Sequence, residues 1–373
     1  MAAKHTMADD LVKKPSKIFE GFRKSLPPCK GKVFVVTGTT SGTGYVLAKE
    51  VVRTGGKAIV LNRRSQRAET SLAALQALCA DGGSVLHIDC DCSSFASVRS
   101  AMTLVQDACN GTIDALVCNA GIGAFPDQRI DGYECQMLTN FLTQWLLVRA
   151  LMPSIEAAAA AKGEARIVLH SSGAAFLTKK KTGRMTPLDA RYLGKEEPLP
   201  GDGTGNGTKA RFRRYQQSKL AQLVAGSALA QSLSAQGSSV KVLMANPGAA
   251  ATGFFHKTAV SIGGLKGALI LGVFGLVKGF INTMEEGAMP LLVCTCGSDV
   301  QSGEFYSPQR LVPLGGVRPG KKSKPVLRSL PVLQTREVLL AERGPEAWDL
   351  MHGKAAKKMA LELADRAVQP YLV

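Results

Sequence analysis

The sequence predicts an α/β fold: a doubly wound, mainly parallel seven-stranded sheet with N- and C-terminal extensions, on a chain of 373 residues. Three observations carry that expectation. Between residues 32 and 170, short apolar runs alternate with stretches of helical spacing, the pattern of a parallel sheet crossed by helices. The first run, Val33–Val36, is apolar throughout, as a strand covered on both faces must be. That run breaks into a glycine-rich turn directly before a helical segment.

Taken in order, residues 1–29 form a basic extension with Lys13, Lys14, Lys17, Arg23 and Lys24, and Ile18, Phe19 and Phe22 add an apolar stripe at helical spacing. Such a segment suits either a membrane-surface or targeting helix or a helix packed on the domain. The main domain spans 30–318. Its strands are expected at Val33–Val36, Ala58–Leu61, Ser84–Ile88, Ala115–Cys118, Arg166–His170 and Val240–Ala245, with a seventh near Glu304–Tyr306. Helices fill the gaps, among them the alanine-rich Ala150–Ala161. Right-handed crossovers put helices on both faces and any ligand beyond the carboxyl ends of the strands. Residues 177–212 read as a long insertion, opened by Lys179-Lys180-Lys181 and closed by the run Gly201–Gly207. Its readings are an entrance flap, a partner surface or a mobile loop of no chemical role. Residues 319–373 form a tail in which Lys321, Lys322 and Lys324 punctuate a loop. Pro345 then starts a helix to about Val368, which packs on the domain or binds a partner.

The glycine-rich turn reads Thr37-Gly38-Thr39-Thr40-Ser41-Gly42-Thr43-Gly44 and joins the run Lys32–Val36 to the helical run Tyr45–Val52. Glycine lets the main chain turn tightly and approach a pyrophosphate. The N-terminus of the following helix offers free N–H groups and a partial positive charge. Strand, glycines and helix in that order point to nucleotide binding rather than a plain turn. After the second strand comes Asn62-Arg63-Arg64-Ser65. NAD-binding units place a carboxylate here to grip the ribose 2′-hydroxyl, yet no acid occurs between Lys57 and Ala68. Guanidinium suits a 2′-phosphate, so Arg63 and Arg64 favour NADP(H) over NAD(H); the alternative is a solvated charge run.

In Tyr215-Gln216-Gln217-Ser218-Lys219, Tyr215 and Lys219 stand four apart on one helix face. An ammonium beside a phenol favours the phenolate, so the phenol is expected to titrate below its usual value of about 10. Tyr215 could then give or take a proton at a carbonyl or alcohol oxygen. A hydroxyl from the upstream pair Ser171-Ser172 would hold the same oxygen.

Together these motifs resemble the short-chain dehydrogenase/reductase family, classical type, over roughly residues 30–310. The glycine spacing Gly38-x3-Gly42-x-Gly44 is similar to that family's. Asp91-Cys92 stands where the family places an acid against adenine, and Asn119-Ala120-Gly121 resembles its structural Asn-Ala-Gly motif. Asn140 matches the helix asparagine that supports the proton relay. By register Ser172 matches the catalytic serine, while Ser171 is structural. Asn246-Pro247-Gly248 through Thr252 resembles the segment that touches the nicotinamide. Asn62-Arg63, Ser218–Ala221 and Asn246-Pro247-Gly248 place the chain nearest the retinol dehydrogenase and protochlorophyllide reductase group. His170 departs from the pattern, because such strands usually carry an apolar residue there; it is a core residue or flanks the site.

The resemblance implies a Rossmann fold with Asn140, Ser172, Tyr215 and Lys219 as the catalytic set. It implies cofactor contacts from Thr37, Gly38, Thr40, Ser41, Gly42, Thr43, Gly44, Arg63, Arg64, Asp91, Cys92, Asn119, Ala120, Gly121, Tyr215, Lys219, Pro247, Gly248 and Thr252. Lys219 would hold the nicotinamide ribose, and Asn140 would anchor a water linking Lys219 to solvent. Residues 253–283 would form a substrate lid. This segment is strongly apolar, but Lys266 and Lys278 leave only eleven uncharged residues between them, too few for a membrane span. An apolar lid implies a small hydrophobic substrate or a helix dipping into a bilayer surface, the alternative being a helix pair covering the core. The implied activity is hydride transfer between NADP(H) and a lipophilic carbonyl or alcohol. Alternatives are reduction of a tetrapyrrole C=C bond, a non-catalytic nucleotide-binding scaffold and a membrane-surface regulator.

Composition limits the partners. Apolar content of 45% with 39 glycines suits a close-packed α/β protein. The net charge of +17 fits an anionic cofactor and an anionic membrane surface. No nucleic acid is expected, because neither zinc-finger spacing nor an RNA-binding motif occurs. The nine cysteines are scattered, and the close pairs Cys90/Cys92 and Cys294/Cys296 lack the spacing of common zinc sites, so no metal is expected. They read as reduced, buried thiols of an intracellular compartment, cytoplasmic or peripheral on an organelle membrane. A homodimer is the default expectation of the resemblance.

Overall fold

A computed structural model describes residues 16–177, 185–195, 199, 203–248, 282–308, 331–333 and 346–372. In chain order the elements begin with α1 (Lys17–Lys24), β1 (Val33–Thr37), α2 (Gly42–Arg53), β2 (Lys57–Asn62), α3 (Gln66–Gln76), β3 (Ser84–Asp89), α4 (Phe95–Ala108) and β4 (Ala115–Cys118). A short hairpin of β5 (Arg129–Ile130) and β6 (Tyr133–Glu134) leads into α5 (Cys135–Met137), a π-helical turn (Leu138–Leu142) and α6 (Thr143–Lys162). Next come β7 (Ala165–His170), α7 (Thr208–Ala235), β8 (Val240–Ala245), α8 (Met284–Cys296) and β9 (Phe305–Pro308). The last are β10 (Pro331–Leu333), α9 (Glu346–His352) and α10 (Lys354–Val368).

The sheet order is β10-β9-β8-β7-β4-β1-β2-β3. From β3 to β9 every neighbour pair is parallel, which gives the expected seven strands. An eighth, β10, adds antiparallel to β9 from a stretch the sequence reads as loop. It is three residues long, lies on the edge and starts with Pro331, a position where a missing N–H does little harm. Successive residues of the central strands serve opposite cores. Val35 and Leu116 pack on the face covered by α4, α6 and α7, whereas Phe34, Val36 and Val117 pack under α2 and α8. That two-sided burial is why these strands read as unbroken apolar runs. The chain leaves β1 toward β2 and β3 but reaches β4 on the other side, so the crevice opens where the carboxyl ends of β1 and β4 part.

The described parts of the extensions are packed elements. α1 is capped by Ser16 and buries Phe19 in the α2–α8 core, with Ile18 and Phe22 half-buried beside it. Gly353 divides the expected C-terminal helix into α9 and α10. In α10, Asp365 accepts hydrogen bonds from Trp145 Nε1 at 2.8 Å and Arg149 Nε at 2.7 Å, and beyond the helix Tyr371 stacks on Phe95 at 4.3 Å. Among the described residues no helix is long and apolar enough to cross a membrane, and no group of His, Cys, Asp or Glu could hold a metal ion. The predicted lid lies outside the described residues except for its last two positions.

The described part of the insertion is pinned to α7. Gln216 Nε2 donates to Ala175 O and Thr186 O at 3.0 and 3.2 Å. Gln217 Nε2 donates to Pro187 O at 2.9 Å, and its Oε1 accepts from Asp189 N at 2.9 Å. The buried Arg214 donates to Gly203 O at 2.6 Å and Gly205 O at 2.7 Å, and pairs with the buried Glu134 at 3.3 Å. The described stretch is therefore anchored along its length to the helix that carries Tyr215.

Candidate active site

The glycine-rich turn is held by Asn119. Its Nδ2 donates to Thr37 O and Gly38 O, both at 2.9 Å, and its Oδ1 accepts from Thr43 Oγ1 at 3.1 Å. Thr37 Oγ1 accepts from the N–H groups of Asn119 and Ala120 at 3.0 and 2.9 Å, which fastens β1 to the end of β4. Two glycines are dictated by this closeness. Gly38 has φ +73, and a Cβ there would lie 2.9 Å from Ala120 Cα. A Cβ on Gly44 would lie 2.3 Å from Asn119 Nδ2 and 2.4 Å from Gly38 O. Ser41 precedes α2 in extended conformation and does not cap it, so the first-turn N–H groups face the crevice without a side-chain partner. This is the main-chain cradle that an anion would need.

The predicted adenosine end is only partly as expected. Asp91 and Cys92 follow β3, where Asp91 Oδ1 accepts from Ser93 N and Oγ at 2.9 and 2.7 Å. The hydrogen bond from Cys90 pulls the buried Cys92 thiol down, and Arg63 adds a smaller pull in the same direction. Arg64 departs from the expectation. It turns to the sheet edge and pairs with Asp89 of β3 at 2.6 Å. The arginine that reaches the glycine-rich turn is Arg67, whose Nη2 donates to Ser41 Oγ at 2.8 Å. The sequence held a signal for it, because Arg67 lies in the first turn of a helix capped by Ser65 immediately after β2. Asn62 was legible only as a subgroup marker; its side chain accepts from Thr39 N at 2.7 Å and donates to Thr39 Oγ1 at 2.8 Å.

The four residues of the expected catalytic set come together. Tyr215, Ser218, Lys219 and Gln222 share one face of α7 by helical spacing. Ser172 follows β7, where its hydroxyl acts on the Tyr215 phenol and opposes the effect of burial there. Ser171 turns away, donating from Oγ to Lys219 O at 2.7 Å. Lys219 Nζ donates to His170 O at 2.8 Å and to Gln222 Oε1 at 3.0 Å. Asn140 sits in the π-helical turn, its Nδ2 on Ile122 O and Ser218 Oγ at 2.9 and 2.8 Å and its Oδ1 on Ile122 N at 2.7 Å. Gly121 is exposed above this group, Pro247 and Gly248 stand half-buried after β8, and Thr252 lies outside the described residues.

One expectation is corrected here. The phenol is not made acidic: burial pushes Tyr215 up to about 12, opposed by the Ser172 hydrogen bond. The ammonium lies 6.0 Å from the Tyr215 ring centroid and spends its described bonds on His170 and Gln222. Burial in turn pushes Lys219 down to about 7. A side chain also joins Asn140 to Lys219: Gln222 Nε2 donates to Asn140 O at 2.8 Å. His170 is a buried, neutral residue flanking the site. Asn119 Nδ2 is committed to two carbonyls, so Asn119 Oδ1 faces His170 Nδ1 at 2.7 Å and that nitrogen carries the proton. Burial, helped by the Lys219 charge, pushes its pKa down to about 3.

An α/β sheet with this crevice, glycine cradle and Ser-Tyr-Lys group defines a nucleotide-binding oxidoreductase class. The short chain dehydrogenase family profile matches residues 32–183. Mouse polyprenol dehydrogenase is 28% identical over 278 residues, covering 74% of this chain and 75% of that enzyme. Mouse retinol dehydrogenase 14 is 28% identical over 290 residues, covering 74% and 77%. A short chain dehydrogenase/reductase of Colletotrichum higginsianum is 28% identical over 228 residues, and there the match spans 60% of this chain but only 55% of the relative. Among solved structures, a protein of Mycobacterium paratuberculosis superposes with a TM-score of 0.60 at 22% identity, covering 93% of this chain and 97% of its own. Through residues 32–183 the chain is thus similar to the short-chain dehydrogenase/reductase family of NAD(P)-dependent oxidoreductases.

Proposed function

We propose that the chain is an NADP(H)-dependent reductase of lipophilic carbonyl compounds, with Tyr215 as the proton donor. One observation carries this reading: the buried Tyr215 of α7 has the Lys219 ammonium 6.0 Å from its ring centroid, one helical turn along, with Ser172 of the β7 end acting on the same phenol. When bound, NADPH supplies the hydride. The first turn of α2 binds the pyrophosphate, and Arg63 and Arg67 meet the 2′-phosphate. Ser172 Oγ orients the carbonyl oxygen. A phenol held near 12 keeps its proton at neutral pH and is ready to give it to that oxygen, which favours the reducing direction. Lys219 holds the nicotinamide ribose.

The lipophilic substrate class draws on the two mouse relatives, named for polyprenol and retinol, and on the apolar run at 259–283. The same run and the +17 charge support contact with an anionic membrane surface in a reducing compartment. The test is oxidation of NADPH and NADH side by side with decanal, retinal and a steroid ketone. Turnover with NADPH preferred is the expected result. A protein that oxidises neither cofactor with any of these carbonyls overturns the reading, and equal use of both cofactors overturns the NADP(H) assignment.

A further inference from the structure

The side chain that joins Lys219 to Asn140 belongs to neither the glycine cradle nor the Ser-Tyr-Lys group. Gln222 is fully buried on α7. Its Oε1 accepts from Lys219 Nζ at 3.0 Å and its Nε2 donates to Asn140 O at 2.8 Å. The amide orientation is unambiguous, because an ammonium only donates and a carbonyl only accepts. The bond to Asn140 has a local cause. In the π-helical turn the main-chain bond runs five residues back, from Thr143 N–H to Leu138 O, and this displaces the regular pairing of the carbonyls that follow. Two glutamines serve these carbonyls: Gln144 Nε2 donates to Thr139 O at 3.4 Å and Gln222 Nε2 to Asn140 O. Leaving either partner of a buried polar bond unmatched is costly.

We propose that Gln222 is a positioning residue for Lys219: its amide clamps the ammonium between the π-helical turn and β7. The inference rests on reading Tyr215 and Lys219 as the proton-handling pair. Gln222 Oε1 and His170 O both accept from Nζ, bonds that favour the ammonium, whereas burial favours the neutral amine. The titratable groups around Nζ are Tyr215 on the same helix and His170 on β7, and both are neutral near pH 7.

Wild type, Gln222→Leu and Gln222→Glu are compared as full-length protein, first without turnover. A buried ammonium that titrates near 7 in the fold, against 10.5 ordinarily, makes the unfolded chain bind more protons between those values. Lys219 therefore makes stability rise with pH across that window. Removing an acceptor lowers the folded value, so in Gln222→Leu the rise should begin at lower pH. A carboxylate beside Nζ raises the folded value, so in Gln222→Glu the rise should flatten. Thermal midpoints measured across the window read this directly. Identical pH dependence in all three proteins, whatever the midpoints, overturns the proposal. If Gln222→Leu does not fold, Gln222→Glu against wild type decides.

The second measurement is the pH profile of NADPH oxidation with decanal. A fall of one pKa unit cuts the charged fraction about tenfold on the alkaline side, so Gln222→Leu should lose about that much kcat there while KM changes little. In Gln222→Glu the alkaline limb should move to higher pH. Superimposable profiles overturn the proposal. If wild type oxidises no NADPH, the functional reading has failed, and the unfolding series still decides the role of Gln222.

Discussion

The two sides of the crevice are built by different means. Around β1 and β4 the main chain makes the site: glycines at fixed spacing, an uncapped helix end and one asparagine that ties them together. Around β7 and α7 side chains make it: Ser172 against Tyr215, Lys219 on Gln222, and Gln216, Gln217 and Arg214 on the insertion. The first kind of site tolerates no added atom. The second tolerates no lost polar partner.

The largest effect should come from the second side. Tyr215→Phe deletes the proposed donor and should lower turnover about 100-fold or more, while NADPH affinity measured by fluorescence titration stays near wild type. Loss of NADPH binding in that variant would make Tyr215 part of the cofactor cradle and blur the comparison. Gly44→Ala probes the first side. The added Cβ meets Asn119 Nδ2 and Gly38 O far inside contact distance, so about 3 kcal/mol of stability should be lost together with cofactor binding. Calorimetry and the same titration read both quantities.

Gln216→Leu should act through the insertion. It leaves Ala175 O and Thr186 O without this donor and should cost about 2 kcal/mol, seen as a lower thermal midpoint and as faster proteolysis near Thr186. The smallest effect separates two arginines. Arg67→Ala should weaken NADPH about tenfold more than NADH, whereas Arg64→Ala, which only releases Asp89, should change both alike. Competition titrations with the two cofactors decide it, and a selective effect of Arg64→Ala would reverse the assignment.

The same contrast explains what the sequence discloses. The central strands β1, β2 and β4 were legible as apolar runs, because burial on both faces leaves few polar positions to confuse the pattern. The glycine turn was legible because its constraint is local. Strand β10 was not, since three residues beside an edge take their conformation from β9 rather than from their own composition. The positions of Tyr215, Lys219 and Ser172 could be read from spacing, but their titration could not. Tyr215 moves up and Lys219 down because the surrounding residues exclude water from both. The partners Gln222 and Asn140 lie far apart in the chain and meet only through the π-helical turn, and no periodicity marks such a pair. Arg67 was within reach of sequence reasoning, in the segment already singled out for its positive charge.

Along the first turns of α7, Arg214, Gln216 and Gln217 grip the insertion while Tyr215 and Lys219 point at the chemistry. Exchanging the insertion for one from a relative would therefore require exchanging those helix residues with it. A graft that respects only the loop's endpoints would leave three amide or guanidinium groups searching for carbonyls beside the proton donor. Recombination that moves Arg214–Lys219 and the loop as a single cassette is the route by which substrate range could be altered without disturbing hydride transfer.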